Sequence, residues 1–284
     1  SRGRARFRRG ASPRDEENEV TISISIVTYN NAAVIGRCLD SLAASLDADQ
    51  DVKLTVVDNG SKDDTLSIIK AFGERKPRGI ALALTIAPEN LGYGRAHNLA
   101  FAGANSKYHV ICNPDIIFRG NPLRTLNEYL DQHDDIGLLC PKVLNEDLTP
   151  QHLNKRLPTV LDLFLRRFLP GAARPLFRGR LDRYEMRDVP YDAIVDVPFV
   201  SGAFLFCRVE ALRRAGGFDP RYFLYFEDVD LSRSVQRAGF RTVCLPQASV
   251  VHLWGRAHHK SPRLALAFAQ SGFRYFRKWG FDLM

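Results

Sequence analysis

The chain predicts an α/β protein built on a mainly parallel central sheet with helices on both faces. Two observations carry that prediction. Strand-like and helix-like segments alternate through the first half, and the polar motifs fall just past the strand ends, where open α/β sheets bind ligands. Residues 21–28 (TISISIVT) are rich in β-branched side chains and open the fold as a strand. Residues 31–44 place Val34, Ile35, Cys38, Leu39 and Leu42 at helical spacing. Residues 52–58 (VKLTVVD) form a second strand that ends at an Asn59-Gly60 turn. Ser61 is expected to cap the next helix with Asp64 in the capping-box position, ahead of Leu66, Ile68, Ile69 and Phe72. Residues 81–87 read as a third strand, 91–103 as a Gly-rich turn entering a helix, and 108–113 (YHVICN) as a fourth strand.

Past residues 136–141, also strand-like, the pattern is less regular. Residues 151–187 mix apolar patches with basic ones, and nine Lys/Arg face three Asp/Glu between 155 and 187. Residues 195–207 (VDVPFVSGAFLFC) read as one buried strand with Gly202 at a turn or close approach. A helix with an acidic start follows at 227–238, then strand-like segments at 241–245 and 249–252, and a final amphipathic helix at 263–279. The expected plan is a disordered Arg-rich then acidic tail (1–19), one catalytic-sized domain (20–262), and a C-terminal amphipathic segment (263–284) packed on it as an acceptor-side extension.

With 284 residues and a net charge of +8, the chain is ordinary globular material suited to an anionic partner: a nucleotide diphosphate, a lipid headgroup or a nucleic acid. The basic residues join no nucleic-acid recognition motif, so that partner is not expected. No apolar run marks a membrane span, and the tail lacks the apolar core of a secretory signal. The five cysteines (38, 112, 140, 207 and 244) sit mostly in apolar runs and form no CxxC pair. Zinc and disulfide frameworks are therefore disfavoured, and a cytoplasmic location is expected.

Chemistry concentrates in a few places. In residues 216–233 (GGFDPRYFLYFEDVDLSR), aromatics interleave with Glu227, Asp228 and Asp230. Carboxylates are costly to desolvate, so this cluster reads as a site handling protons or cations, although acids at a helix start also favour the macrodipole. Asp58 ends a buried strand and opens VDNGSKDDT, a segment fit to meet a base imide and an anion; an Asx-turn gives the same pattern. Asp115, in the Asn113-Pro114-Asp115 turn, can hold Mg²⁺ or Mn²⁺ if diphosphate oxygens complete the shell, and a plain Pro-Asp turn is the alternative. His252 ends an apolar strand, as a core histidine or a Mn²⁺ ligand. In NLGYGRAHN (90–98), Asn90, Gly92 and Arg95 suit approach to phosphate or sugar hydroxyls, but GxGxxG, Walker and GxSxG spacings are absent. Trp254 and the aromatics of 222–226 fit either sugar stacking or core packing.

Taken in order, VTYN (27–30), VDNGSKDDT, NLGYGRAHN, NPD, the 216–233 segment and His252 resemble the family-2 inverting glycosyltransferases, with a GT-A (Rossmann-like) fold, and within them the bacterial rhamnosyltransferase-like branch. The resemblance spans about residues 21–280. It implies that Thr28, Tyr29, Asn30 and Asp58 hold the nucleotide, with Asn90, Gly92, Arg95 and Asn113 on the same donor side. It further implies that Asp115 and His252 share a divalent cation, and that Asp228 is the general base with Glu227 as the other candidate. The implied donor is dTDP-L-rhamnose, and the acceptor a glycan or polyprenyl-diphosphate-linked glycan of the cell envelope. A peripheral contact of residues 151–187 and the last helix with the inner face of the plasma membrane is also expected. The first carboxylate of the usual DxD motif is Asn113 here, which predicts a weak metal site without nucleotide. Two other readings use similar parts: a metal-dependent nucleotidyltransferase, whose Gly- and Lys/Arg-rich phosphate loop is missing after the first strand, and a catalytically silent nucleotide- or carbohydrate-binding module.

Overall fold

The structure is a computed structural model that describes residues 22–253 and 262–281. The tail and Trp254 lie outside the described residues. The strands are β1 (Ile22–Thr28), β2 (Val52–Asp58), β3 (Ile80–Ile86), β4 (Tyr108–Cys112), β5 (Ile116–Phe118), β6 (Ile136–Leu144), β7 (Val195–Asp196), β8 (Phe204–Arg208) and β9 (Arg241–His252). They form one sheet in the order β3-β2-β1-β4-β8-β6-β9-β5, with β7 paired to β9. β1, β2, β3, β4, β6 and β9 run one way, and β5, β7 and β8 run against them. The sheet is therefore mixed but mostly parallel.

Helices cover both faces, and strand alternation decides which side chain meets which layer. On one face Ile22, Ile24 and Ile26 of β1 pack with Ile35, Leu39 and Leu42 of α1 (Ile35–Ser45). Ile69 and Phe72 of α2 (Thr65–Glu74) and Leu123, Leu126 and Leu130 of α4 (Pro122–Asp131) extend that core; α3 (Tyr93–Ala102) lies on the other face. There Val27 meets Ala96 of α3, and Leu205 and Cys207 of β8 meet α7 (Val209–Ala215) and α8 (Glu227–Arg237). Between β6 and β7 the chain forms α5 (Val160–Phe168), a 3-10 turn over Gly171–Phe177, and α6 (Arg178–Tyr184). The last helix, α9 (Pro262–Trp279), docks Tyr275 and Phe276 on Tyr222, Phe226 and Val229. All five cysteines are buried free thiols.

Three segments differ from the sequence reading. Ser61 does not cap α2; its hydroxyl accepts from the Asn30 N–H, and the Asp63 carboxylate takes the Thr65 N–H and hydroxyl instead. Residues 195–207 divide into β7 and β8, because Pro198 has no N–H and the Val200 and Gly202 amides donate to Ser232 and Asp228 of α8 rather than to a ladder. Conversely, segments 241–245 and 249–252 are one strand. Its pairing slips where Pro141↔Leu245 is followed by Lys142↔Ser249, and residues 246–248 are accommodated in that irregularity.

A buried polar chain runs under α3. Ser25 Oγ lies 2.8 Å from His97 Nδ1 and 2.9 Å from His109 Nε2, and Ser23 Oγ lies 2.7 Å from His109 Nδ1. Burial pushes His109 down to about 3, and burial together with the neighbouring His109 holds His97 well below the usual imidazole range. Both rings take a proton more readily in the unfolded chain, so stability is full above the ordinary imidazole pKa near 6.5 and falls as pH drops. His109 alone accounts for a loss of about 2 kcal/mol at pH 5. Thermal unfolding at pH 7 and pH 5 checks this: His109→Gln should lose less on acidification than wild type by roughly that amount, and identical losses would contradict it.

Candidate active site

The amino end of α8 is reached through two consecutive left-handed residues, Tyr225 (φ 70°) and Phe226 (φ 67°). That conformation costs a bulky residue of order 1–3 kcal/mol, so something must hold it. Phe226 is clamped between Phe268 (ring centroids 5.1 Å) and Tyr275 (5.5 Å) of α9. One turn on, buried Asp230 accepts from Lys278 Nζ (2.8 Å) and Trp279 Nε1 (2.7 Å) at the far end of α9. The consequence is a fixed pair of acids, Glu227 and Asp228, aimed into a cavity of about 370 Å³ that Tyr93, Asn113, Lys155, Gly202 and His252 also line.

The two acids are held differently. Asp228 accepts from the Gly202 N–H (3.0 Å) and the Val229 N–H (2.9 Å), while Glu227 Oε2 is buried with no hydrogen-bond partner. Burial and the Asp228 charge push Glu227 up to about 8. Asp228 is also raised by burial, against which its backbone donors work. Tyr93, whose hydroxyl donates to the Gly202 carbonyl (2.5 Å), is raised by burial and then by both carboxylates.

Across the cavity, the β5–β9 pairing sets Ile116 opposite His252 and so brings Asp115 to it: His252 Nε2 is 3.3 Å from Asp115 Oδ1. Gln151 fixes the ring. Its Nε2 donates to Asn145 Oδ1 (2.8 Å) and the His252 carbonyl (3.4 Å), which leaves Oε1 to accept from His252 Nδ1 at 2.6 Å. In the neutral form of the ring, with Nδ1–H donating to Gln151, the Nε2 lone pair faces Asp115 Oδ1, an oxygen that is buried and without a hydrogen bond. A nitrogen lone pair facing a bare carboxylate oxygen, with the other nitrogen held from behind, is the donor set a divalent cation takes. No group of three or more His, Cys, Asp or Glu gathers as a metal cage among the described residues, so a cation here needs further oxygens from elsewhere.

The strand ends on the other side gather Thr28, Tyr29, Asn30, Asp58 and Asn90. Thr28 donates to Asn31 Oδ1, Asn30 (φ 56°) accepts from the Lys62 N–H, and Tyr29 is exposed. Asp58 accepts from the Ser61 N–H with one oxygen and keeps the other, Oδ1, buried and unpartnered. Asn90 accepts from the Gly92 N–H and Asn59 Nδ2. Buried polar atoms are nearly always satisfied in folded proteins. Three of the unpartnered ones here belong to Asp58, Asp115 and Glu227, acids that the sequence singles out.

Gly92 and Arg95 have other partners. A Cβ on Gly92 (φ +86°) would stand 2.3 Å from the Phe223 carbonyl oxygen, and Arg95 Nε donates to the Pro220 carbonyl (2.6 Å), so both bind the loop that leads into α8. Neither lines the cavity. Several cations of 151–187 are already matched with acids: Arg156 with Asp188, Arg180 with Asp162, and Arg187 with Glu185. Lys155 is the residue that sequence reasoning missed as a cavity wall. It reads as one basic residue in a basic stretch, and only the Lys155↔Phe199 bridge brings it to face α8. Gln151 was equally hidden, because its partner lies 101 residues away.

Comparison with known proteins fits this arrangement. The family model described as "Glycosyltransferase like family 2" matches residues 20–272. The chain belongs to glycosyltransferase family 2. It is 29% identical over 277 residues to N-acetylglucosaminyl-diphospho-decaprenol L-rhamnosyltransferase of Mycobacterium tuberculosis, a match that covers 89% of this chain and 86% of the relative. It is 27% identical over 266 residues to rhamnosyltransferase WbbL of Escherichia coli K12, with 90% of each chain covered. Its fold resembles that of mannosyltransferase PcManGT from Pyrobaculum calidifontis, solved with GDP-Man and Mn²⁺, at TM-score 0.63 and 21% identity, covering 93% of this chain and 65% of that one. The glycosyltransferase therefore carries the GT-A fold.

The Gly92 contact is testable. Gly92→Ala must either displace the Phe223 segment or strain the backbone, which costs about 1–3 kcal/mol. Thermal unfolding of the variant should show a lowered Tm together with reduced turnover; an unchanged Tm would mean that this loop packing is not what requires the glycine.

Proposed function

We propose that this glycosyltransferase is an inverting rhamnosyltransferase that moves L-rhamnose from dTDP-L-rhamnose to a hydroxyl of a polyprenyl-diphosphate-linked or related glycan in cell-envelope polysaccharide synthesis. One observation carries the reading: a single cavity joins the Glu227-Asp228 pair to Asn113 and His252, so a base and a diphosphate-binding edge face the same space. The rhamnosyltransferase relatives support the sugar, and the name of the mycobacterial one supports the lipid-linked acceptor.

In this reading Asp228 is the base. Two backbone donors keep its carboxylate available, whereas Glu227 is pushed up to about 8 and holds a proton near neutral pH. Burial raises Asp228 toward the working pH, which makes it a better proton acceptor than an exposed aspartate. The acceptor oxygen forms its bond to the anomeric carbon while the bond from that carbon to the diphosphate oxygen breaks. The hydroxyl proton passes to Asp228, and the nucleotide diphosphate leaves on the opposite face. Asp58 and Thr28 to Asn30 hold the nucleotide, and the unpartnered Asp58 Oδ1 is free to accept from a base N–H. Asp115 and His252 would hold Mg²⁺ or Mn²⁺, which would supply positive charge for the leaving diphosphate.

Residues 160–184 support contact with an anionic membrane surface. They expose Phe164 and Leu176, the latter 83% accessible, beside the basic stretch. No helix among the described residues is long and apolar enough to cross a membrane, so the contact proposed is peripheral.

Turnover with a dTDP- and UDP-sugar panel tests the reading, with dTDP-L-rhamnose expected to be consumed and the others spared. Asp228→Asn should lower transfer by about 10²–10⁴-fold with TDP binding retained, while Glu227→Gln, which mimics the protonated acid, should stay within about tenfold of wild type. The opposite order would move the base to Glu227, and preferential turnover of a different sugar would overturn the rhamnose assignment. Co-sedimentation with vesicles checks the membrane contact. Binding to anionic vesicles at low salt should weaken at high salt and in Leu176→Ser, and absence of binding at low salt would refute it.

A further inference from the structure

Two cations stand together on the cavity wall that faces α8. Lys155 Nζ lies 5.9 Å from the centre of the Tyr184 ring, and the Arg166 guanidinium lies 6.0 Å from the same ring. Lys155 is 8% exposed, its ammonium is hydrogen-bonded only to the His152 carbonyl (3.1 Å), and among the described residues no carboxylate pairs with it. Burial first, and then repulsion from Arg166, push Lys155 down to about 8, against the weaker pull of Glu185 and Asp228. Arg166 has one loose acid partner, Glu185 at 3.4 Å. A buried cation with no carboxylate in direct contact is costly, and a second cation beside it raises the cost. The fold bears that cost at the edge of a cavity, where an incoming anion would relieve it.

The position narrows the anion. Thr28, Asp58 and Asn90, which would meet the nucleotide, do not line this cavity; Asp228 does, with Asn113 and His252 of the donor-diphosphate edge on its opposite wall. Beyond Arg166 the wall continues into a second groove of about 890 Å³, lined by Leu165, Pro175 and Leu181 and by Arg178 and Arg187, which are paired there with Asp182 and Glu185.

We propose that Lys155 and Arg166 form a phosphate-binding subsite for the diphosphate of the acceptor, so that the enzyme selects diphosphate-linked acceptors over neutral glycans. The proposal rests on the lipid-linked acceptor reading above. The same phosphoryl chemistry also occurs in the donor, and the test separates the two sources.

Inorganic pyrophosphate is titrated by calorimetry, without divalent cation, into the full chain saturated with TDP. Wild type should bind it, Lys155→Met and Arg166→Gln should each weaken binding at least tenfold, and Lys155→Arg should retain it. TDP affinity, measured separately, should be the same in all four proteins. In turnover, both charge-removing variants should raise KM at least tenfold for a prenyl-diphosphate-linked GlcNAc and leave KM for a neutral alkyl GlcNAc glycoside unchanged. No pyrophosphate binding to the TDP-saturated wild type would overturn the subsite whatever sugar the enzyme transfers. Loss of TDP affinity in the variants would assign the cations to the donor and overturn the acceptor assignment. The titration uses neither rhamnose nor an acceptor, so failure of the rhamnosyltransferase reading would show in turnover while the titration still decides the subsite.

Discussion

Burying two adjacent carboxylates costs several kcal/mol unless hydrogen bonds and fixed dipoles offset it, and the rest of the site follows from how the amino end of α8 meets that cost. The helix dipole and the Gly202 and Val229 amides favour charge on Asp228. Glu227 keeps its Oε2 without a partner, and burial with the Asp228 charge pushes it up to about 8. The arrangement requires the left-handed Tyr225-Phe226 step, which α9 holds in place through Phe268 and Tyr275 on Phe226 and through Lys278 and Trp279 on Asp230. The last helix thus acts as a brace for the acid pair, and the loss of the 195–207 strand follows from the same constraint, since its amides are committed to α8.

The other half of the chemistry comes from sheet direction. Parallel strands deliver Asp58 and Asn113 at one edge, and the antiparallel pairing of β5 with β9 folds Asp115 back onto His252. Gln151 then selects the tautomer that faces the carboxylate. With no third acid or histidine in reach among the described residues, the missing first carboxylate at Asn113 is not made good by another side chain, and oxygens of the diphosphate are the natural complement.

The parts written locally in the sequence were legible. The β-branched run TISISIVT, the strand VKLTVVD and the helical spacing of Ile35 to Leu42 each mark one element from its own residues, although β1 is buried on both faces. The candidate acids Asp58, Asp115, Glu227 and Asp228 could be singled out by their places at strand ends and a helix start, although an Asx-turn, a Pro-Asp turn or the helix dipole accounts for the same placement. What was hidden is long-range. Nothing near Lys155 signals that it faces Asp228, nothing near Gln151 announces His252, and Gly92 and Arg95 read as phosphate contacts because the loop they hold, at Pro220 and Phe223, is far from them in the chain. Ser61 failed as a cap because Asp63, two residues on, competes for the same amide end with a charged acceptor.

The central claim is that environment divides the roles of two neighbouring acids. Carboxyl-selective carbon NMR of the full chain across pH 4 to 10, with Glu227 and Asp228 assigned by substitution, measures it directly. The account predicts that at pH 7 Glu227 is protonated and titrates above neutrality while Asp228 is ionised. A Glu227 that titrates in the ordinary carboxylate range, with Asp228 holding the proton at pH 7, would contradict it.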